Sequence, residues 1–261
     1  MPVPPITLTT DFGTSDWFVG TMKAVILRLN PKAVIIDLTH GIPPGDIRAG
    51  AFALAASCRF APKGTIHLAV VDPGVGSERK AIVVQTADYF FVSPDNGVLS
   101  WALVNEKIKA IHRLENKTYF LHPVSQTFHG RDLFSPVAAH LSLGLPAQKL
   151  GPKQSDFVHL PWPELQRSSN SVKGEVIYLD RFGNGITNIA ASDLHTLGQG
   201  DLQVSIGRKR LCGVASFYQA VPAGKPVAVV GSSGYLEIAV NSGNAAQKLG
   251  LKIGSPVVCC R

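Results

Sequence analysis

Ile66-His67-Leu68-Ala69-Val70-Val71-Asp72-Pro73-Gly74-Val75-Gly76-Ser77-Glu78-Arg79 is the stretch that decides the fold. Its first six residues form a mainly apolar run of strand length, the pattern of a β-strand buried on both faces. Pro73, Gly74 and Gly76 then shape a turn, by fixing φ or by permitting positive φ. A second buried strand follows at Ala81–Val84. An ionised carboxylate beside a buried sheet edge is costly unless a cation pairs with it, and Arg79 is the local partner for Asp72. The pair reads in two ways, as an ion pair that pins a turn or as functional groups at the end of a strand.

The segments upstream give that strand its context. Ile6–Thr9 reads as a strand, Asp11–Asp16 as a loop, and Trp17–Leu29 as a helix closed by Asn30-Pro31. Ala33–Leu38 is a β-branched run, Thr39–Gly45 a Pro/Gly loop, and Asp46 an N-cap for a helix over Ile47–Arg59. This β-α-β-α-β order, ending at Ile66–Val71, predicts an α/β domain with a mostly parallel sheet covered on both faces. Further strands are expected at Ala81–Gln85, Tyr89–Val92 and Ile108–His112. A short helix is expected after Asn96-Gly97, and another helix over Leu133–Leu143.

From Gly144 to Asn170 the periodicity fades into Pro, Gln, Ser and Trp, and beyond it the texture changes. Glu175–Leu179, Ile186–Ala190, Leu202–Ile206, Arg210–Ala215, Val227–Val230, Tyr235–Val240 and Ser255–Cys259 read as short strands between glycines, with one helical hint at Ala245–Leu249. Such a pattern predicts a small all-β barrel-like domain. The expected organisation is an α/β domain over 1–150, a linker over 151–172 and a smaller β-barrel domain over 173–261.

Composition narrows the function classes. The 261 residues are 45% hydrophobic and 16% charged, the balance of a folded globular protein. The net charge of +7 comes from scattered bases, with Arg208-Lys209-Arg210 the only cluster, which argues against nucleic acid as a partner. Apolar runs are too short to span a bilayer, and Met1-Pro2-Val3-Pro4-Pro5 carries no signal-peptide pattern. A cytoplasmic protein with reduced thiols is expected: Cys58, Cys212 and the vicinal Cys259-Cys260 have no metal or redox spacing.

In an open α/β sheet, ligands bind beyond the carboxyl ends of the strands. Three acid-bearing loops lie there, at Asp11, at Asp37 to His40, and at Asp72. Asp16 alone is a helix cap, whereas Asp11 precedes the cap and is placed to accept hydrogen bonds from a ribose diol. Phe128-His129-Gly130-Arg131-Asp132 reads either as a helix start capped by Asp132 or as a polar cluster that reaches Asp72. Asp180-Arg181-Phe182-Gly183-Asn184 and Gly231-Ser232-Ser233-Gly234-Tyr235-Leu236-Glu237 read equally as hairpin turns or as ligand contacts. No H-x-H or H-E-x-x-H spacing supports a metal, no G-x-S-x-G elbow supports a serine nucleophile, and no glycine-rich phosphate cradle follows the first strand. Neither a metal nor a cofactor is expected.

Six segments in order resemble the family of S-adenosyl-L-methionine (SAM) hydroxide adenosyltransferases, the adenosine-forming SAM hydrolases related to the fluorinase and chlorinase. They are Thr10–Asp16, Asp37–His40, Val71–Arg79, Phe128–Asp132, Asp180–Asn184 and Ser232–Asn241, which together span nearly the whole chain. The resemblance implies a homotrimer of two-domain subunits, with SAM between the N-terminal domain of one subunit and the C-terminal domain of its neighbour. It implies attack of water or hydroxide on the 5′ carbon of SAM, releasing methionine and adenosine. The trio that holds the water falls on Asp72, Arg79 and His129, with Asp72 and His129 accepting from it. The halogenating relatives carry Tyr and Ser where Asp72 and His129 stand, so the trio argues for water over halide.

By the same resemblance Asp11 holds the ribose, and Phe182 and Tyr218 flank the adenine or ribose. Asn184, Ser232, Glu237 and Val240 contact methionine or adenine, and Asp16, Asp180 and Ser233 complete the substrate-binding set. Ser233 stands where the halogenases have an arginine, and Gly45 where they have an aromatic residue. Two other functions remain in view: a SAM-dependent halogenase, and a non-catalytic module that binds adenosine or SAM.

Overall fold

The computed structural model describes residues 3–198, 202–207, 209–211 and 213–261, so Arg208 and Cys212 of the sequence reading lie outside the described residues. The chain forms two compact units, one ending at Pro161 and the other beginning at Trp162.

The first unit is built on seven strands among the described residues: β1 (Ile6–Thr10), β2 (Ile35–Thr39), β3 (Ile66–Val70), β4 (Ala81–Thr86), β5 (Phe90–Pro94), β6 (Ile108–Arg113) and β7 (Lys153–Gln154). They run in the order β2-β1-β3-β5-β4-β6-β7. The β1–β2, β1–β3 and β3–β5 pairs are parallel, while β4–β5, β4–β6 and β6–β7 are antiparallel. The sheet is therefore mixed, which corrects the expectation of a mostly parallel one. The connection from β4 to β5 is too short for a crossover, which needs a dozen or more residues, so these two strands can only form a hairpin.

Helix α1 (Phe18–Leu29) and helix α3 (Ser135–Ser142) pack with β1 and β3 around Ile6, Leu8, Met22, Ile26, Ile66, Leu68 and Phe134, all buried. Helix α2 (Ile47–Ser57) starts where expected, with Asp46 Oδ1 accepting from Ala49 N at 2.9 Å. Gly50 lets α2 approach the sheet, since a Cβ there would stand 2.9 Å from Val71 Cγ2. The helix expected after Asn96-Gly97 is instead a run of turns over 98–105. The stretch whose periodicity fades is held to this unit by side chain–backbone bonds, which leave no hydropathy period. Asp95 accepts from Val158 N at 2.7 Å, Ser100 Oγ from Leu160 N at 2.7 Å, and Trp101 Nε1 donates to Leu160 O at 3.1 Å.

The second unit carries β8 (Gln166–Arg167), β9 (Ser171–Leu179), β10 (Gly185–Ala190), β11 (Gln203–Ile206), β12 (Lys209–Leu211), β13 (Pro226–Val230), β14 (Tyr235–Val240) and β15 (Pro256–Cys260). Their order is β12-β11-β15-β9-β10-β14-β13, with β8 on β9, and the named pairs are antiparallel. This is a barrel-like antiparallel sheet around Val176, Ile189, Val204, Leu236, Ile238 and Val257. Two short helices accompany it, α4 (Ala191–Thr196) and α5 (Ala245–Leu249). Cys259 points into the core and its neighbour Cys260 does not, as alternation along a strand requires.

Candidate active site

The site grows from the carboxyl ends of β1 and β3. Asn96 Nδ2 donates to Val71 O at 2.8 Å, which fixes the point where β3 gives way to the loop. Val75 N donates to Asp72 O and Ser77 N to Gly74 O, so the 72–79 segment doubles back on itself and returns Arg79 to Asp72. Arg79 Nε lies 3.0 Å from both Asp72 oxygens, and Nη2 lies 2.5 Å from Oδ2. The two side chains are 11% and 4% exposed, a desolvated pair in fork geometry.

Arg79 Nη2 also donates to His129 Nδ1 at 2.7 Å. A guanidinium has no acceptor, so Nδ1 carries no proton and His129 is the neutral Nε2–H tautomer. Burial holds the His129 pKa below its ordinary value, and the Arg79 charge lowers it further. With Nδ1 taken, the ring offers a ligand only its Nε2–H. His129 therefore donates where the sequence reading had it accept, and Asp72 is left as the acceptor of the trio.

Asp11 Oδ2 accepts from Gly45 N at 2.7 Å, and a Cβ at Gly45 would lie 3.6 Å from Pro73 Cβ. The loops that follow β1 and β2 thus meet the loop that carries Asp72. Asp11 Oδ1 is buried and without a hydrogen-bond partner. A buried, unpaired carboxylate oxygen is an acceptor waiting for a donor. Phe12 packs edge-on to Phe128 at 6.0 Å, and a Cβ at Gly130 would stand 3.2–3.3 Å from Phe128, Met22 and Phe12, so the segment that follows His129 packs closely on the Asp11 loop.

One sequence expectation fails here, the Asp16 cap, and one of the two readings of Asp132 falls with it. Asp16 is exposed and does not cap α1, whose N-cap is Trp17 with no side-chain bond, because the helix begins one residue later than capping would need. Asp132 does not cap a helix either. It lies inside a widened turn, Gly130–Phe134, in which Ser135 N donates to Gly130 O five residues back.

The remaining residues lie on the second unit. Asp180 Oδ1 accepts from Phe182 N and Asn184 N, and Oδ2 from Asn184 Nδ2 at 3.0 Å, so this carboxylate shapes its own hairpin. Phe182 stands at its tip, 73% exposed. Glu237 is buried on β14 and accepts from Tyr218 OH at 2.7 Å. Burial raises the Glu237 pKa, with the Asp180 charge adding to it, and burial beside Glu237 pushes the Tyr218 phenol to about 12. Ser232 is exposed, and Ser233 Oγ is buried without a partner. The Val240 side chain packs in the barrel core, so it has only its backbone to offer a ligand.

The structure gathers Asp11, Asp72, Arg79 and His129 at one sheet edge and strings the second set along β14. Gly185 pairs with Ile238 and Ala190 with Tyr235, so Asn184 and Ser233 flank opposite ends of that ladder. A cavity of about 510 Å³ lined by Trp162, Arg167, Asn188, Asp193 and Tyr235 adjoins the Ser233 end. Sequence reasoning missed Asn96, whose Asn-Gly context marks a turn without saying what the side chain holds. Among the described residues no group of three or more His, Cys, Asp or Glu side chains is arranged to hold a metal ion. Among the described residues no helix is long and apolar enough to cross a membrane.

Comparison with known proteins identifies relatives of the chain. Residues 6–151 match the model of the SAM hydroxide adenosyltransferase N-terminal domain, and residues 174–258 that of the C-terminal domain. The chain is 40% identical to the (R)-S-adenosyl-L-methionine hydrolase of Salinispora tropica, covering 97% of this chain and 96% of the relative. It is 27% identical to the fluorinase of an Actinoplanes species, covering 97% and 96%. A crystal structure of an uncharacterized conserved protein from Thermotoga maritima superposes with a TM-score of 0.93 at 40% identity, covering 98% of this chain and all of that one. The chain belongs to the SAM hydroxide adenosyltransferase family.

Proposed function

We propose that the protein hydrolyses S-adenosyl-L-methionine to adenosine and L-methionine, with Asp72, Arg79 and His129 holding the nucleophilic water. The observation that carries this reading is the Arg79 to His129 Nδ1 bond, because it fixes the polarity of the site. One acceptor, the Asp72 carboxylate, faces two kinds of donor, the guanidinium and the His129 Nε2–H. Such an arrangement orients one water proton toward Asp72 and stabilises hydroxide character on the oxygen. The water oxygen bonds to C5′ as the C5′–S bond breaks, and the bonding pair returns to sulfur as a neutral thioether. The water proton leaves through Asp72. A sulfonium needs no acid to depart, so the rate depends on placing the nucleophile in line.

The substrate contacts belong to the same proposal. Asp11 Oδ1 takes a ribose hydroxyl, and Phe182 and Tyr218 flank the adenine or ribose. Asn184, Ser232, Ser233, Glu237 and the Val240 backbone face the rest of the ligand. Asp180 acts by holding the hairpin, and Asp16 is a further contact at the mouth of the first loop. Asn184 and Ser233 stand at opposite ends of a ladder that suits an extended ligand with a nucleoside at one end and an amino acid at the other.

We also place the protein in the cytoplasm, as a homotrimer whose substrate site is shared between neighbouring copies. The exposure of Phe182, Phe217 and Tyr218 on a single chain supports a shared site, and sedimentation gives the mass directly.

Chromatography of SAM incubated with the protein in halide-free buffer tests the activity, with the two sulfonium epimers supplied separately because the Salinispora relative is named for the (R) form. Adenosine and methionine in equal amounts are the expected products. Intact SAM after long incubation with bound protein would leave a binding module, and a 5′-halo-adenosine on adding chloride or fluoride would make it a halogenase. The Asp72 carboxylate disfavours an anion as nucleophile, which is why water is preferred.

A further inference from the structure

Asp132 is a fully buried carboxylate to which the proposed chemistry assigns no task. Burying a charge costs several kcal/mol unless it is paired and hydrogen-bonded, and here the pairing is built from its own neighbours. Adjacent residues on a regular helix point apart, but the widened turn over Gly130–Phe134 lets Arg131 reach back. Its Nε lies 2.5 Å from Asp132 Oδ1 and its Nη2 2.9 Å from Oδ2. The guanidinium also lies over the Phe128 ring, 5.2 Å from its centroid.

The carboxylate has one more partner, and that partner lies across a loop. Ser125 N donates to Asp132 Oδ2 at 2.8 Å, and Leu121 N donates to Asp132 O at 2.8 Å. Both ends of the 121–125 segment are thereby fastened to one residue. The next residue, Gln126, lays its carbonyl so close over Gly76 that a Cβ there would collide with it. Gly76 has φ +78° and sits in the turn that returns Arg79 to Asp72. Arg79 in turn donates to His129, one turn before Asp132 on the same segment. The contacts close a ring: Asp132, Ser125, Gln126, Gly76, Arg79, His129 and back.

We propose that Asp132 is the positioning residue of this site, stapling the 121–127 loop against Gly76 and so holding Arg79 on His129 Nδ1. It does not touch the substrate. Its effect passes through the tautomer of His129, because without the Arg79 bond nothing in the trio reserves Nδ1 as the unprotonated nitrogen.

The test is nitrogen-15 NMR of the His129 ring in the full-length protein, with single-turnover and steady-state kinetics beside it. The wild-type ring is expected as pure Nε2–H tautomer. In Asp132→Asn, which keeps the size and an acceptor but loses the charge-assisted fork, the Nδ1–H tautomer appears. The kinetic arm rests on the SAM-hydrolase reading and predicts a fall in kcat of roughly tenfold or more, with KM for SAM within about twofold, as expected for a displaced nucleophile holder. The NMR arm needs no turnover, so a failure of that reading would not be mistaken for a failure of this one. Gly76→Ala attacks the same clamp from an exposed loop and is expected to scramble the tautomer in the same way. It replaces the first variant if Asp132→Asn does not fold. Retention of a pure Nε2–H ring in the folded variant overturns the proposal, whatever happens to kcat.

Discussion

The catalytic candidates on the first unit and the hairpin residues on the second are held in different ways. At the end of β3, Asp72, Arg79 and His129 are bonded to one another at 2.5–3.0 Å. On the second unit Phe182 is bare to solvent, Ser233 Oγ has no partner, and Asp180 is occupied with its own hairpin. The first arrangement is preorganised and the second is an open surface. A group that must direct developing charge gains most from being held before the substrate arrives, since no reorganisation is then needed at the moment of reaction. A surface that recognises a large, partly apolar ligand can be completed by the ligand itself.

The sharpest way to break this contrast is to remove the trio. Asp72→Ala, Arg79→Ala or His129→Ala each lowers kcat by roughly 10²–10⁴-fold, the range for a positioned acid–base or electrostatic group. Residues that act as a unit are non-additive, so double variants should lose little beyond the worst single one. Fully additive losses in single-turnover rates would show three independent groups and dissolve the trio. In the proposed mechanism His129 acts as the neutral ring, and its pKa lies below the ordinary 6.5, so kcat should stay level through that pH and fall only in more acid buffer. In His129→Asn the part of the acid limb that belongs to the ring should be lost.

A second prediction tests how rigid the first unit is. His67 on β3 is 0% exposed, with Nδ1 2.8 Å from Thr7 Oγ1 and its ring stacked on Phe91 at 4.9 Å. Burial lowers its pKa from 6.5 to about 4. As pH falls, the unfolded chain takes up this proton first, so stability is complete above pH 6.5 and is lost between 6.5 and about 4. The loss from this group is about 3 kcal/mol at most. Denaturant melts of His67→Phe across that window should show a correspondingly flatter pH dependence, and an unchanged slope would remove His67 as its cause.

The smallest effect belongs to the open surface. Phe182→Ala should raise KM for SAM roughly tenfold, in line with the ~1–3 kcal/mol of a base stacked on an aromatic ring. It should leave kcat and melting temperature near wild type, since the ring packs on little within its own chain. A drop in kcat with KM unchanged would place Phe182 in the chemistry and erase the division between the two surfaces.

How much of this was legible in the sequence varies with the range of the interactions. The strand over Tyr235–Val240, the Asp46 cap and the short helix over Ala245–Leu249 stand as read, because periodicity and capping are local. The antiparallel β4–β5 pair departs from the mostly parallel sheet that the β-α-β-α-β order predicts, although the three residues between these strands leave no room for a crossover. From their place before a helix, Asp16 reads as a cap and Asp132 as a cap in one of its two readings. Capping depends on where the first turn closes, and a one-residue delay at α1 and a widened turn at Gly130 moved both out of position.

The sequence by itself determined the alternation that builds each sheet, the acids at the ends of β1 and β3, and the family to which they belong. Only the tertiary structure decided what those side chains do to one another. His129 lies fifty residues from Arg79, and which of its nitrogens keeps the proton depends on a 2.7 Å contact made when two distant loops pack together. A hydropathy pattern records which residues leave water. It carries no information on the partner that a buried donor or acceptor meets there, and at His129 that partner decides which nitrogen keeps the proton.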